Sequence, residues 1–202
     1  MDALEEVLRA MAARHKHLCP RQVLGARIAL AGAAFLGLEI PREDKRLLAI
    51  VETDGCFADA VEVTTGCTVG HRRLRVEDYG KVAATFVDVK TGQAVRVSPG
   101  LDVRERARDY APEEKRRYYA QLHAYQIMPD EELLDVRSVE LRPPLKEILS
   151  RPGIRVNCAS CGEEIINERG IRRNGALQCR SCAGDAYYTV LGPSRAAASD
   201  RS

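Results

Sequence analysis

The sequence predicts an α+β fold: a mixed helix-and-sheet domain followed by a small cysteine-bearing module at the C-terminus. Three observations carry this. Apolar residues near the start recur at helical spacing (Leu4, Val7, Leu8, Met11). The middle of the chain alternates with a period of two over residues 74–76, 83–89 and 93–97, with a Lys90-Thr91-Gly92 turn between the last two. Near the end stand two Cys-x-x-Cys pairs, Cys158/Cys161 and Cys179/Cys182.

The chain has 202 residues with 45% hydrophobic content, enough for one core and a small appendage. Lys and Arg number 31 against 29 acidic residues, a net charge of +2, which lacks the basic excess of most nucleic-acid binders. The longest apolar stretch, residues 23–40, carries Arg27 and Glu39 and reads as a buried helix, so no membrane span is expected. Residues 1–17 lack the basic start, apolar run and cleavage site of a secretory signal. The expected location is the cytoplasm, where the seven cysteines do not form disulfides.

Taken in order, residues 2–16 predict a helix. Cys19-Pro20 predicts the start of a second, over 20–38, with a close-packing face of Gly25, Ala29, Gly32 and Ala33. Residues 46–53 read as a buried strand. Asp54-Gly55 opens a helix over 56–64, and Gly66 stops it. The alternating segments follow as strands. Residues 102–111 and 112–127 read as helices, the second led by Pro112-Glu113-Glu114, and residues 133–141 as a last strand. The domain division is 1–150 for the α+β domain, 151–192 for the cysteine module and 193–202 for a disordered polar tail.

The paired cysteines have a direct chemical meaning. Seventeen residues separate Cys161 from Cys179, within the spacing of two zinc knuckles. Each knuckle aims two sulfurs at one ion, and two knuckles close a tetrahedron with no open position. Cys158, Cys161, Cys179 and Cys182 are therefore the expected ligands of a structural zinc ion in a zinc-ribbon or treble-clef hairpin. A module of about 35 residues buries too little core to fold without such a staple. Arg155, Arg169, Arg172, Arg173 and Arg180 lie nearby, and either balance the anionic cluster or contact a partner.

Cys19, Cys56 and Cys67 remain. In an extended stretch His17 and Cys19 point to one side; in a helix His15 and Cys19 share a face. Cys19 and Cys56 both sit at predicted helix starts, which favour the thiolate. Two cysteines and a histidine make a three-ligand set, the number typical of a catalytic or exchangeable metal site. The competing expectation is that they pack as small hydrophobes. A helical run from Cys56 would put Cys67 on the order of 16 Å away, too far to share an ion within one chain. Thr64 to Gly70 reads either as a loop whose N–H groups hold an anion or as a turn that needs glycine. His71 follows that loop, and His123 lies on a charged helix face. Phosphate-loop, serine-elbow and HExxH patterns do not occur.

At these residues the chain resembles the FmdE-like family, named after one component of formylmethanofuran dehydrogenase. His15-Lys16-His17-Leu18-Cys19-Pro20-Arg21 is similar to the family's HGHxCPG. Cys56-Phe57-Ala58-Asp59-Ala60-Val61 is similar to CxxDAI. Thr65-Gly66-Cys67-Thr68-Val69-Gly70, with Asp78-Tyr79-Gly80-Lys81, is similar to TGCTxG and DYGK. The resemblance implies a dimeric α+β domain whose His and Cys residues line a metal pocket. His17, Cys19, Cys56 and Cys67 become candidate ligands for a second metal ion, with His15 a weaker one. It also implies association with a molybdenum- or tungsten-dependent enzyme of one-carbon metabolism. Lys16 and Arg21 stand where glycines are usual, and Glu62 and His71 where Gln and Lys are common. Three functions follow as expectations: a cytoplasmic metal-binding accessory protein of such an enzyme, an enzyme using a metal-bound water or a cysteine thiolate, and a zinc-finger regulator of nucleic acid.

Overall fold

A computed structural model describes residues 3–15, 17–149 and 153–192. The chain divides into two compact units, residues 1–145 and 146–202. No helix among the described residues is long and apolar enough to cross a membrane.

The first unit begins with helix α1 (Ala3–His15), which buries Leu4, Leu8 and Met11. Helix α2 (Pro20–Leu36) follows, with Cys19 as its extended N-cap and Gly37 left-handed at its end. Strand β1 (Leu47–Val51) leads through helix α3 (Cys56–Thr65) to strand β2 (Leu74–Val76), which runs parallel to β1. Strands β3 (Ala84–Asp88) and β4 (Ala94–Pro99) form a hairpin. Helices α4 (Val103–Tyr110), α5 (Arg117–Ile127) and α6 (Asp130–Leu133) precede strand β5 (Leu134–Ser138). The sheet order is β2-β1-β3-β4-β5, antiparallel except for the β1–β2 pair.

The core forms between one sheet face and α2. Ala49, Phe86 and Val95 stand side by side across β1, β3 and β4, and all three are buried. Helix α2 rests on this row because Gly32 has no side chain. A Cβ there would lie 2.1 Å from the Phe86 ring. Gly25 plays the same part against α3, where a Cβ would meet Ala60 at 2.7 Å and the Phe57 carbonyl at 2.8 Å. The small residues legible in the sequence thus let α2 touch the sheet and α3 at backbone distance. Arg27 ties α2 to the far end of α5, donating to the carbonyls of Tyr125 (2.9 Å) and Met128 (2.7 Å) and pairing with Asp130.

Two boundaries differ from expectation. Helix α5 starts at Arg117 rather than Pro112. Ala111, the residue before the proline, is not helical, and residues 111–114 close a turn through the Glu114 N–H to the Ala111 carbonyl. The last strand is shortened to Leu134–Ser138, because Pro129 opens a turn of helix over Asp130–Leu133.

In the second unit the linker carries a short helix α7 (Leu145–Ile148), the first residue of which ends unit one. Two small hairpins follow, β6 (Arg155–Asn157) with β7 (Glu164–Ile166), and β8 (Ile171–Arg173) with β9 (Ala176–Gln178). The expected disordered tail, residues 193–202, lies outside the described residues, as does Lys16.

Gly32→Ala should lower the stability of the first unit by about 1–3 kcal/mol through overpacking, outweighing the roughly 1 kcal/mol of helix propensity gained. Urea unfolding of zinc-saturated protein reads this. An unchanged midpoint would mean that the Phe86 ring yields freely.

Candidate metal centres

The C-terminal centre is built by its backbone. In each knuckle the turn brings backbone N–H groups onto a sulfur. Ser160 and Cys179 donate to Cys158 Sγ at 3.4 and 3.3 Å, and Cys182 donates to Cys179 Sγ at 3.4 Å. The Cys161 and Cys179 sulfurs are 3.9 Å apart. All four sulfurs lie within 4.8 Å of one another, as tetrahedral thiolate ligation requires. Backbone N–H groups of Cys161, Cys179 and Ser160 hold the Cys158 thiol down at about 6. Its neighbours Cys179 and Cys161 push Cys182 up to about 12. Thiols this close do not all ionise together unless a cation joins them. Several nearby arginines are engaged locally: Arg155 with Glu164 (2.7 Å), Arg180 with Asp185, and Arg173 with the Ala183 carbonyl (2.5 Å).

The second candidate lies in the first unit. Cys19 caps α2 and Cys56 opens α3, so the α2–α3 packing described above sets the two thiols side by side. Burial, then the charge of neighbouring Cys19, pushes the Cys56 thiol up. Cys19 is extended, with its N–H donating to Gln22 Oε1 at 2.7 Å, one half of a capping box. Because α1 ends at His15, His15 and Cys19 share no helical face. His15 Nε2 instead lies 3.0 Å from Asp59 Oδ2, one turn beyond Cys56. The ring N–H is not aligned with that oxygen, so this is a charge contact and Nε2 has no hydrogen-bond partner. Tyr118, in the first turn of α5, completes the surroundings. Its hydroxyl donates to the Leu18 carbonyl at 3.3 Å, and burial, then Cys19, raises its pKa, so it stays protonated. Tyr119 packs edge-on against it at 5.3 Å.

Among the described residues, two buried side-chain nitrogens lack a hydrogen-bond partner: His15 Nε2 and Gln22 Nε2. Both flank the cysteine pair. Buried polar atoms are nearly always satisfied, and since His15 Nε2 has the Asp59 carboxylate at 3.0 Å, it is the Gln22 nitrogen that suits a bound group. The donor chemistry, two thiols with imidazoles close in sequence, fits a soft divalent ion.

The remaining candidates stand elsewhere. His17 is exposed, and the first unit shows no group of three or more such donors within 4.8 Å among the described residues. Cys67 does not join the pair. It is wholly buried, its sulfur donating to the Leu47 carbonyl at 3.4 Å, and burial raises its pKa. The start of its loop is bonded internally. Gly66 N–H bonds the Glu62 carbonyl, Cys67 N–H bonds Thr65 Oγ1, and the Arg73 guanidinium reaches the Gly66 and Arg42 carbonyls. Gly66 is left-handed there (φ +71°), the turn that glycine permits. His71 bonds Thr68 Oγ1 at 2.9 Å and is exposed, and His123 pairs with Glu114 at 3.2 Å. Gln22 and Tyr118 escaped the sequence reading. Gln22 was detectable as the third helical residue after a cap, whereas nothing local marks Tyr118.

An α+β domain with paired helix-start cysteines, joined to a four-cysteine finger, defines a metal-binding protein class. Residues 14–135 match the family model described as FmdE, molybdenum formylmethanofuran dehydrogenase operon, and the chain belongs to that family. Residues 153–188 match the prokaryotic dksA/traR C4-type zinc finger. A curated relative, a probable S-adenosyl-L-methionine-binding protein of Archaeoglobus fulgidus, is 30% identical over 199 residues, covering 88% of this chain and 52% of that protein. The chain thus spans about half the length of that relative. The crystal structure of a tungsten formylmethanofuran dehydrogenase FmdE-like protein from Syntrophus aciditrophicus superposes with a TM-score of 0.58 at 25% identity. It covers 92% of this chain and 95% of its own.

Alkylation of the folded protein should label Cys19 and Cys56, at a rate that rises with pH because the Cys56 thiol is raised. Cys67 should react only in denaturant. Mass spectrometry of the peptides reads both, and native labelling of Cys67 at the rate of Cys56 would contradict its placement.

Proposed function

We infer that this chain is a metal-binding accessory protein, a subunit-like partner of a molybdenum- or tungsten-dependent enzyme of one-carbon metabolism, acting as a cytoplasmic homodimer. The observation that carries the reading is the pairing of Cys19 and Cys56 at the starts of two packed helices, with the buried Gln22 amide nitrogen unpartnered beside Cys19. Family membership and the printed names of the family model and the Syntrophus neighbour supply the partner.

In this reading Cys158, Cys161, Cys179 and Cys182 hold a structural zinc ion, and Cys19 and Cys56 hold a second, exchangeable ion when His17, exposed and outside ligand distance in this structure, turns in to join them. His15, kept against Asp59, is the reserve donor, and Cys67 is a packing residue. Three protein ligands leave the ion one position open to an outside ligand. The Cys56 proton must leave for the ion to bind, so loading strengthens as pH rises.

Elemental analysis of anaerobically purified protein should give two metals per chain, falling to one in Cys19→Ala and in Cys56→Ala. Chelation should strip the pocket before the finger. Light scattering on the same preparation should read two chains per particle. One metal in wild type and variants alike would overturn the pocket.

A second reading comes from the Archaeoglobus relative, whose name gives S-adenosyl-L-methionine binding. Calorimetric titration of the full chain with S-adenosyl-L-methionine decides it. Heat at micromolar ligand supports it, and no heat assigns that property to the half of the relative this chain does not span.

A further inference from the structure

We propose that the free edge of β5 is the surface on which two copies of this chain meet, the two strands pairing antiparallel about a two-fold axis at Val136. The inference rests on the homodimer of the preceding section and names its surface.

Strand β5 ends the sheet on one side, with β4 its one strand neighbour among the described residues. In an antiparallel pair, successive residues point their N–H and C=O groups alternately at the partner strand and away from it. At the two ends of β5 the Val139 N–H donates to the Ala94 carbonyl, and the Gly100 N–H donates to the Leu133 carbonyl. These bonds set the alternation. Asp135 and Arg137 turn their backbone groups to β4, whereas Leu134, Val136 and Ser138 turn theirs outward. No described residue bonds those outward groups. An open edge of this kind is a template for another strand. Val136 stands in its middle, 41% exposed.

The order of side chains selects a second copy as that strand. Turned about Val136, the segment Leu134–Ser138 meets itself with Val136 on Val136, Leu134 on Ser138 and Asp135 on Arg137. The outward residues then exchange backbone hydrogen bonds with their opposites. Asp135 and Arg137 fall at the intervening positions, where opposed side chains come closest, and form two ion pairs across the axis. The neighbouring registers that keep the hydrogen bonds set Asp135 on Asp135 or Arg137 on Arg137, and like charges directly opposite are unfavourable. Charge within the chain points the same way. Arg137 lies opposite Arg96 of β4, with Asp135 of its own strand as counter-charge at 2.6 Å. Arg96 is itself engaged by Glu52. A second carboxylate, from the other copy, would reach Arg137 from the side away from Arg96.

The test is light scattering on the full zinc-loaded chain and two charge variants. Arg137→Asp leaves acids at both positions and Asp135→Arg leaves bases at both, and both side chains are solvent-accessible. Wild type should give two chains per particle. Each variant alone should associate about tenfold or more weakly. An equimolar mixture of the two sets acid against base at both positions and should restore the two-chain particle, which misfolded chains would not do. Variants that associate as wild type does, or a mixture no tighter than its components, would overturn the inference while leaving the homodimer standing. Wild type at one chain per particle would overturn the homodimer itself, and the inference with it.

Discussion

The close approach of α2 to its neighbours is the constraint on which the rest of the first unit depends. Gly25 and Gly32 leave no room for a methyl group against α3 and Phe86. Helix α2 is therefore seated at a fixed height and rotation, and its N-terminus has a fixed partner in the N-terminus of α3. Cys19 and Cys56 are far apart in the chain and belong to different local motifs. They become neighbours only because two helices touch backbone to backbone. The chemistry of the pocket is a consequence of packing between small residues.

The βαβ connection supports the same placement. Because β1 and β2 are parallel, the chain must cross over through α3, and the crossover leaves β1 at its carboxyl end. That end is where open α/β sheets expose ligand-binding groups, and Cys56 stands just beyond it. Electrostatics then divides the cysteines into three kinds. The finger sulfurs sit in a ring of backbone N–H groups that invites ionisation of one and forbids ionisation of all. Cys56 is pushed up by burial and by its neighbour. Cys67 is sealed against β1, where burial outweighs the neighbouring hydrogen bonds and arginines and keeps the thiol protonated.

Much of this is legible in the residues alone. The finger spacing specifies its own geometry, because four soft ligands in two knuckles have one way to close. Cys19-Pro20, Asp54-Gly55 and Gly66 each mark a helix boundary through a local backbone rule, and those rules hold because no tertiary contact opposes them. Helix α5 starts later than the residues predict because Pro112-Glu113-Glu114 is an equally good turn, closed here by the Glu114 N–H on the Ala111 carbonyl. The roles of Gln22 and Tyr118 were not legible. One depends on a hydrogen bond to a cap and the other on a helix that arrives a hundred residues later.

The Arg27 clasp has a mechanical meaning. It grips the Tyr125 and Met128 carbonyls at the far end of α5, while the first turn of that helix reaches the residue before Cys19 through the Tyr118 hydroxyl. Helix α5 is thus tied near both ends, and the place of Tyr118 is inherited from how the far end of its helix is held.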